Sequence, residues 1–275
     1  MTYLEYRFLI DAERRDVLLA LLSLHPFDTF QETETGLNAY STPDVTPDRA
    51  AIAALAAPLD ATFTVHEHAP QNWNAQWEAN FPPLRIGDFC GIRANFHPPT
   101  ENVRFDLVIN PKMAFGTGHH ATTHMMVETM EGVDFNGKRV LDYGCGTGVL
   151  AILAKQLGAD YVHAVDIEQP SYENTLENAE RNGVVLETVR QGTLATTHDE
   201  PPFDLILANI NRNVILDSLA ELAKKCVPDG ELLTSGYLRA DGARVENALQ
   251  KHGFETLGQR ERDNWLCTHS RFVGK

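Results

Sequence analysis

Residues Leu141–Leu150 read LDYGCGTGVL, and this stretch decides the fold of the chain. An apolar run ends at Asp142, and three glycines, Gly144, Gly146 and Gly148, follow at alternate positions. Glycine loses more backbone freedom on folding than any other residue, so this cluster has an entropic cost. Because the cluster falls between an apolar strand-like run and a helical one, it predicts a turn whose free backbone amides face a ligand at the start of a helix.

The pattern around this turn extends over the second half of the chain. From Lys138 onward, apolar strand-like runs alternate with helical segments. The predicted strands are RVLDYGC, YVHAVDIE, FDLILANI, GELLTSGYL and NWLCTHSRFV. Such alternation is typical of an α/β fold with a mostly parallel sheet covered by helices on both faces. Ligands of such sheets bind beyond the carboxyl ends of the strands.

The first 68 residues have a different pattern, in the order strand, helix, strand, strand, helix, strand. The first strand, TYLEYRFLI, alternates and predicts one apolar face, made of Leu4, Tyr6, Phe8 and Ile10. Asp11 is the expected N-cap of the first helix, Gly36 the turn of a hairpin, and Thr46 with Pro47 the start of the second helix. This order is that of a ferredoxin-like α+β sandwich.

We therefore expect three parts in the chain. Residues 1–68 form the small ferredoxin-like domain and residues 83–275 the α/β domain. Between them, residues 69–82 are predicted to form a linker helix, with Trp73 and Trp77 on one face because they are four residues apart.

Composition and charge narrow the classes of protein. The 275 residues include 23 basic and 38 acidic side chains, a net charge of −15. A general nucleic-acid binder carries a basic face, so this balance disfavours one and suits a basic partner. No apolar stretch is long enough for a membrane span, no secretory signal is visible, and the four cysteines have no zinc or redox spacing. We expect a cytoplasmic protein with reduced thiols.

The glycine turn is compatible with two classes of ligand. Its G-x-G-x-G spacing fits the dinucleotide fingerprint G-x-G-x-x-G poorly, whereas the methionine part of S-adenosylmethionine can lie across such a turn. Asp166 ends the next predicted strand, 18 residues after Gly148. Its carboxylate can accept hydrogen bonds from both hydroxyls of a ribose, as it would with NAD as well. Asp166 thus supports a nucleoside ligand without choosing between a nicotinamide-dependent oxidoreductase and a methyltransferase.

Several stretches resemble a known family. VLDYGCGTGVLAI, AVDI and FDLILANI resemble the class I methyltransferases that use S-adenosylmethionine. INPKMAFGTGHHATTHMM, from Ile109 to Met126, resembles the hallmark loop of the bacterial PrmA family, whose members methylate ribosomal protein L11. NWNAQWEANFPPLRIG resembles the segment between that family's two domains. The resemblance covers nearly the whole chain.

The resemblance implies a fold and an activity. The fold would be a Rossmann-like methyltransferase domain with a mostly parallel seven-stranded sheet, preceded by a ferredoxin-like domain that recognises the substrate. The activity would be methyl transfer from S-adenosylmethionine to amines of ribosomal protein L11, either lysine side chains or the N-terminal amine. We also expect a monomer that needs neither a nucleic acid nor a membrane. Another protein substrate, or a nucleic-acid base, is the alternative.

The resemblance also implies roles for individual residues. The positions that match the family's cofactor contacts are Thr123, Gly144, Asp166 and Asn209. The loop expected to fold over the cofactor consists of Phe115, Gly116, Thr117, Gly118 and His119, and Gly146 and Gly148 complete the predicted site. Asn209 is expected to orient the acceptor amine, with no general base and no metal. After Asn209, residues 210–213 depart from the family's pattern, which leaves the acceptor pocket open.

Other residues in these motifs invite alternative interpretations. His119, His120 and His124 lack an acidic or cysteine partner at metal-ligand spacing, so we do not assign a metal. Cys145 has no base near it in sequence and is interpreted as a small loop residue.

Three other hypotheses have features against them. The glycine spacing opposes an oxidoreductase. The intact glycine loop, with Asp166 and Asn209, opposes a binding module that has lost catalysis. Asn-Ile-Asn-Arg at residues 209–212 opposes an enzyme acting on bases, since those often carry Asn-Pro-Pro-Tyr or Asp-Pro-Pro-Tyr there.

Overall fold

The structure is a computed structural model, and it describes residues 3–33, 35–41, 47–68, 82–110 and 114–274. The chain divides into two compact units, Met1–Asn80 and Phe81–Lys275, and each is described by itself. The predicted linker helix, with Trp73 and Trp77, lies outside the described residues except for Pro82. It stays a prediction.

Within its described residues, the N-terminal unit contains four strands and two α-helices. Their bounds are β1 Tyr3–Leu9, α1 Ala12–Leu22, β2 Thr29–Thr33, β3 Gly36–Ser41, α2 Arg49–Ala56 and β4 Thr62–His68. The strands form an antiparallel sheet in the order β2-β3-β1-β4. This order and the two helices confirm the ferredoxin-like arrangement.

Local sequence explains most of this unit. The predicted apolar face of β1 is buried, with Tyr6 and Phe8 in the core beneath both helices. The carboxylate of Asp11 caps α1 by accepting a hydrogen bond from the backbone N–H of Arg14. The predicted start of the second helix was wrong, because α2 begins at Arg49. Its N-cap is Asp48, whose side chain accepts from the N–H of Ala50 and so satisfies a free amide of the first turn.

The second unit contains ten strands and five α-helices within its described part. Their bounds are β5 Leu84–Ile86, β6 Cys90–Arg93, β7 Phe105–Val108, α3 Ala121–Met130, β8 Arg139–Tyr143, α4 Val149–Gln156, β9 Tyr161–Asp166, α5 Gln169–Arg181, β10 Thr188–Gln191, β11 Phe203–Asn209, α6 Arg212–Lys225, β12 Cys226–Leu238, α7 Gly242–Lys251, β13 Phe254–Arg262 and β14 Trp265–Phe272. Strands β5, β6 and β7 form a small separate sheet.

The other seven strands form one sheet in the order β10-β9-β8-β11-β12-β14-β13. Strand β14 runs antiparallel to both of its neighbours, and the remaining pairings are parallel. Two apolar clusters, one on each face, pack the sheet against its helices. This confirms the predicted α/β fold with a mostly parallel seven-stranded sheet. Within the described residues, no helix combines the length and apolar character needed to cross a bilayer.

Candidate functional site

The glycine turn connects β8 to α4, and all three of its glycines have positive φ: 77° at Gly144, 55° at Gly146 and 79° at Gly148. A Cβ at Gly144 would stand 2.1 Å from Cγ2 of Ile210, and one at Gly146 would stand 2.2 Å from the carbonyl oxygen of Phe115. Other segments of the chain therefore lie directly on the bare backbone. Glycine permits this close approach and the left-handed backbone, and it also leaves the backbone bare for a ligand.

Asp166 ends β9 beside this turn. One carboxylate oxygen accepts a hydrogen bond from the backbone N–H of Gly146 at 2.9 Å, and the other accepts from that of Glu168 at 3.0 Å. The side chain therefore joins the glycine turn to the start of α5. Each carboxylate oxygen has a further acceptor site, so Asp166 can also bind the hydroxyls of a ligand.

Asn209 ends β11, the neighbouring strand on the other side of β8. Its Nδ2 donates to Oγ1 of Thr123, a fully buried residue of α3, at 3.0 Å. Its Oδ1 is buried and has no hydrogen-bond partner among the described residues. Buried polar atoms are almost always paired in folded proteins, so this oxygen is the natural place for a ligand's donor.

A cavity of about 530 Å³ lies at this edge of the sheet, a volume typical of small-molecule sites. Five of the predicted site residues line it: Phe115, Gly144, Gly146, Asp166 and Asn209. Thr123 is outside the described lining and contacts Asn209, which is part of it. The acidic residues Asp166 and Glu168 both line the cavity, whereas the described lining contains no lysine or arginine, so the cavity favours a cationic ligand.

The remaining predicted site residues lie outside the lining. Gly148 is the N-cap of α4. Gly116 accepts a hydrogen bond from Oγ1 of Thr147 at 2.6 Å, and His119 lies 2.8 Å from the carbonyl oxygen of Pro82. Thr117 contacts the His119 ring, and Gly118 packs closely against two apolar side chains of β5 and β6. These contacts hold the loop around Phe115, and the loop's closure over a cofactor stays a prediction.

His120 and Trp265 are two of the cavity-lining residues that were not assigned to the site from the sequence. His120 caps α3 and stands between two aromatic rings, edge to face with Phe115 at 5.3 Å and with Trp265 at 4.8 Å between ring centroids. In the sequence, His120 was considered only as a metal ligand. Trp265 starts β14, more than 50 residues beyond Asn209, and no motif marks it.

Cys145 and Asp142 are buried beside the glycine turn, and burial raises the pKa of both side chains. Burial raises the pKa of the Cys145 thiol well above its usual value, and its Sγ contacts Oγ1 of Thr175 at 3.3 Å, so it is a packed thiol as expected. Burial likewise raises the pKa of Asp142 to about 7, and the nearby charge of Asp166 adds to this shift. In the part of the chain that the structure describes, no three His, Cys, Asp or Glu side chains form a metal-binding group.

The strand order, the single reversed strand β14 and the cavity beyond β8, β9 and β11 define a class I S-adenosylmethionine-dependent methyltransferase. A solved structure described as ribosomal protein L11 methylase from Lactobacillus delbrueckii subsp. bulgaricus has the same fold, with a TM-score of 0.61 and 28% identity. The match covers 68% of this chain and 97% of that one.

Sequence comparisons define the family. The profile of "Ribosomal protein L11 methyltransferase (PrmA)" matches residues 24–272. A ribosomal protein L11 methyltransferase of Porphyromonas gingivalis is 41% identical over 258 residues, which cover 92% of this chain and 89% of that relative. One of Bacteroides fragilis is 37% identical over 257 residues, 92% of each chain. The chain belongs to the ribosomal protein L11 methyltransferase (PrmA) family, which confirms the predicted methyltransferase class and its cofactor, S-adenosylmethionine.

Proposed function

We propose that this chain transfers methyl groups from S-adenosylmethionine to amines of ribosomal protein L11. Its membership of the family supports the substrate. The observation that carries the proposal for the site is the unpaired Oδ1 of Asn209, held by Thr123 at the edge of a cavity next to the glycine turn. Because Thr123 holds the Asn209 side chain, its Oδ1 can accept a hydrogen bond from the substrate amine and orient that amine.

The cavity fits the cofactor in size and charge. We assign the ribose hydroxyls to the carboxylate of Asp166, which keeps free acceptor capacity. The bare backbone at Gly144 and Gly146 would face the methionine part, and Ile167, which is 60% exposed beside Asp166, offers an apolar surface to the adenine. The acidic lining suits the positive charge of the cofactor.

When bound, the cofactor supplies an electrophilic methyl group, since a new N–C bond can form as the C–S bond breaks and sulfur keeps the bonding pair. The residues of this chain hold the acceptor amine in position for the transfer. Asn209 Oδ1 accepts a hydrogen bond from the amine, so that the nitrogen lone pair is aimed at the methyl carbon. Lysine has a pKa of ~10.4, and deprotonating it at pH 7 costs roughly 4.6 kcal/mol. A partly desolvated cavity lowers that cost. The amine proton leaves to solvent, and we assign no general base.

We further propose that the N-terminal unit holds the protein substrate. Its ferredoxin-like sheet and helices contain no glycine-rich turn, and no metal group occurs among its described residues. The net charge of −15 of the chain suits a basic ribosomal protein in the cytoplasm.

Methyl transfer with radiolabelled S-adenosylmethionine tests the proposal. Purified ribosomal protein L11 and ribosomal RNA are offered side by side, and label is expected in the protein alone. Asn209→Ala should lose most of this transfer, whereas Asn136→Ala, which removes an exposed amide on a turn before β8, should not. Label in the RNA, or full activity of Asn209→Ala, would contradict the proposal.

A further inference from the structure

A second hollow of about 430 Å³ adjoins the cofactor cavity. Three residues line both spaces: Asn211, Gly236 and Trp265. The second hollow, called the outer hollow below, therefore opens toward the part of the cavity near Asn209. A side chain that enters through the outer hollow reaches this junction without crossing the glycine turn.

The lining of the outer hollow combines apolar and charged side chains. Trp265, Tyr237 and Leu238 are its apolar side chains, and Leu238 is 43% exposed. The same lining includes Arg212 and Asp241, and Nη1 of Arg212 contacts Oδ1 of Asp241 at 2.5 Å. A long aliphatic chain with a cationic end matches this combination, because it buries its methylenes and keeps its charge beside a carboxylate.

Arg212 holds a cation beside Asp241 in the outer hollow. Its Nε and Nη2 both donate to Oδ1 of Asn213, at 3.1 and 3.0 Å, while Nη1 binds Asp241. Both members of the pair are partly exposed, at 33% for Arg212 and 23% for Asp241, so the contact is open to exchange with another cation. The guanidinium of Arg212 therefore occupies the position beside the Asp241 carboxylate that a substrate cation could take.

We propose that the outer hollow is the entry site for the cationic side chain of the methyl acceptor, and that Asp241 binds its ammonium group after displacing Arg212. This inference rests on the proposed function, since it concerns the acceptor of the same reaction. Asp241 lines the outer hollow and not the cofactor cavity, so its charge attracts the ammonium without holding the amine protonated at the point of transfer. Arg212 thereby competes with the substrate.

The two charges have opposite expected effects on the kinetics with ribosomal protein L11. Asp241→Asn should raise KM about tenfold, as expected for the loss of a charge-assisted contact, while the Kd of S-adenosylmethionine stays unchanged. Arg212→Gln should lower KM about threefold, because it leaves the carboxylate free. The double variant should behave like Asp241→Asn. If the ion pair only fastens α6 to the turn before α7, the two single variants will change KM in the same direction or leave it unchanged.

A matched control removes a nearby charge outside both spaces. Arg239 pairs with Glu261 at 3.2 Å and lines neither cavity, so Arg239→Gln should leave KM unchanged. An effect equal to that of Arg212→Gln would mean that overall charge, and not the outer hollow, sets substrate affinity. Thermal unfolding of each variant checks that all of them remain folded.

A small probe separates this inference from the proposed function. Binding of Nα-acetyl-lysine-N-methylamide is followed by NMR titration, with the norleucine analogue as uncharged control. The lysine probe should bind most tightly to Arg212→Gln and least tightly to Asp241→Asn, and the norleucine probe should not distinguish the variants. If this order holds but ribosomal protein L11 is not methylated, the proposed substrate is wrong and the entry site stands. If L11 is methylated and the order is absent, the entry site is overturned.

Discussion

At the scale of single residues, Asp166 joins the glycine turn to the start of α5 and is proposed to bind the ribose of the cofactor. A single substitution tests the second role. We expect Asp166→Ala to weaken S-adenosylmethionine binding, because charge-assisted hydrogen bonds to the ribose contribute ~1.5–3 kcal/mol, or roughly 10- to 150-fold in Kd. The loss of its contacts with Gly146 and Glu168 adds to this effect. Isothermal titration measures it. Asp160→Ala, which removes an exposed charge before β9, is the control, and an unchanged Kd in Asp166→Ala would refute the ribose role.

At Gly144, the structure gives a second reason why glycine is required, in addition to the one expected from the sequence. From the sequence, the free backbone of the glycine turn was expected to face a ligand. The structure shows that a Cβ at Gly144 would first meet Cγ2 of Ile210 at 2.1 Å, whereas Cβ of Ile210 is 3.7 Å away. Gly144→Ala should therefore reduce both stability and cofactor binding, and Ile210→Ala in the same chain should restore part of each.

A double-mutant cycle measures this coupling by urea unfolding and isothermal titration. The part that is not restored reflects the positive φ of 77°, a conformation that costs a non-glycine residue roughly 1–2 kcal/mol. Additive effects of Gly144→Ala and Ile210→Ala would show that backbone strain or the ligand, and not Ile210, makes the glycine necessary.

At the scale of elements, Asp142 connects the end of β8 to the first turn of α4. Its Oδ2 accepts a hydrogen bond from the N–H of Ala151 at 3.0 Å, and its Oδ1 has no partner among the residues described. Burial raises its pKa from 3.8 to about 7 in the folded chain. Between these values the folded state holds a proton that the unfolded state has lost, so this group's contribution to stability is present below pH 4 and declines as the pH rises to 7.

Asp142→Asn removes this titration and keeps an oxygen for Ala151. Relative to the unaltered chain, the variant should gain stability as the pH rises from about 4 to about 7, by at most roughly 4 kcal/mol for a shift of about three units. Urea unfolding at pH 4.5 and pH 8, each time beside the exposed control Asp160→Asn, measures the difference. A difference that does not change with pH would mean that Asp142 is ionised in the folded chain.

The inner strands of the sheet were predicted from the sequence pattern, whereas its edge strands were not. The inner strands β8, β9 and β11 were predicted because both faces are buried and their sequences are mostly apolar. Strands β10 and β13 were not predicted from the pattern. They are the two edges of the sheet and are largely exposed, so nothing requires a regular alternation in their sequences.

At the scale of the whole molecule, removal of the N-terminal unit tests whether cofactor binding and substrate binding belong to different units. A chain that begins at Pro70 retains Thr123, Gly144, Asp166 and Asn209. It should bind S-adenosylmethionine with nearly unchanged affinity and lose most methyl transfer to ribosomal protein L11, because contacts remote from the reacting atoms position a protein substrate. Titration and the radiolabel assay measure the two properties, with circular dichroism as the check of folding. A folded, truncated chain with full activity would contradict the substrate-holding role.

The sequence by itself determined the α/β class, the ferredoxin-like order of the first unit and the residues that end β8, β9 and β11. Local periodicity sets each of these elements, and parallel strands bring their carboxyl ends, with Asp166 and Asn209, to one edge. The tertiary structure alone decided the contact of Ile210 with Gly144, the place of Trp265 in the cavity wall, and the pairing of Arg212 with Asp241. Gly144 and Ile210 are 66 positions apart, Arg212 and Asp241 are 29 apart, and Trp265 is 145 positions from His120, its neighbour in the cavity wall. Only packing brings them together, and no local pattern in the chain records it.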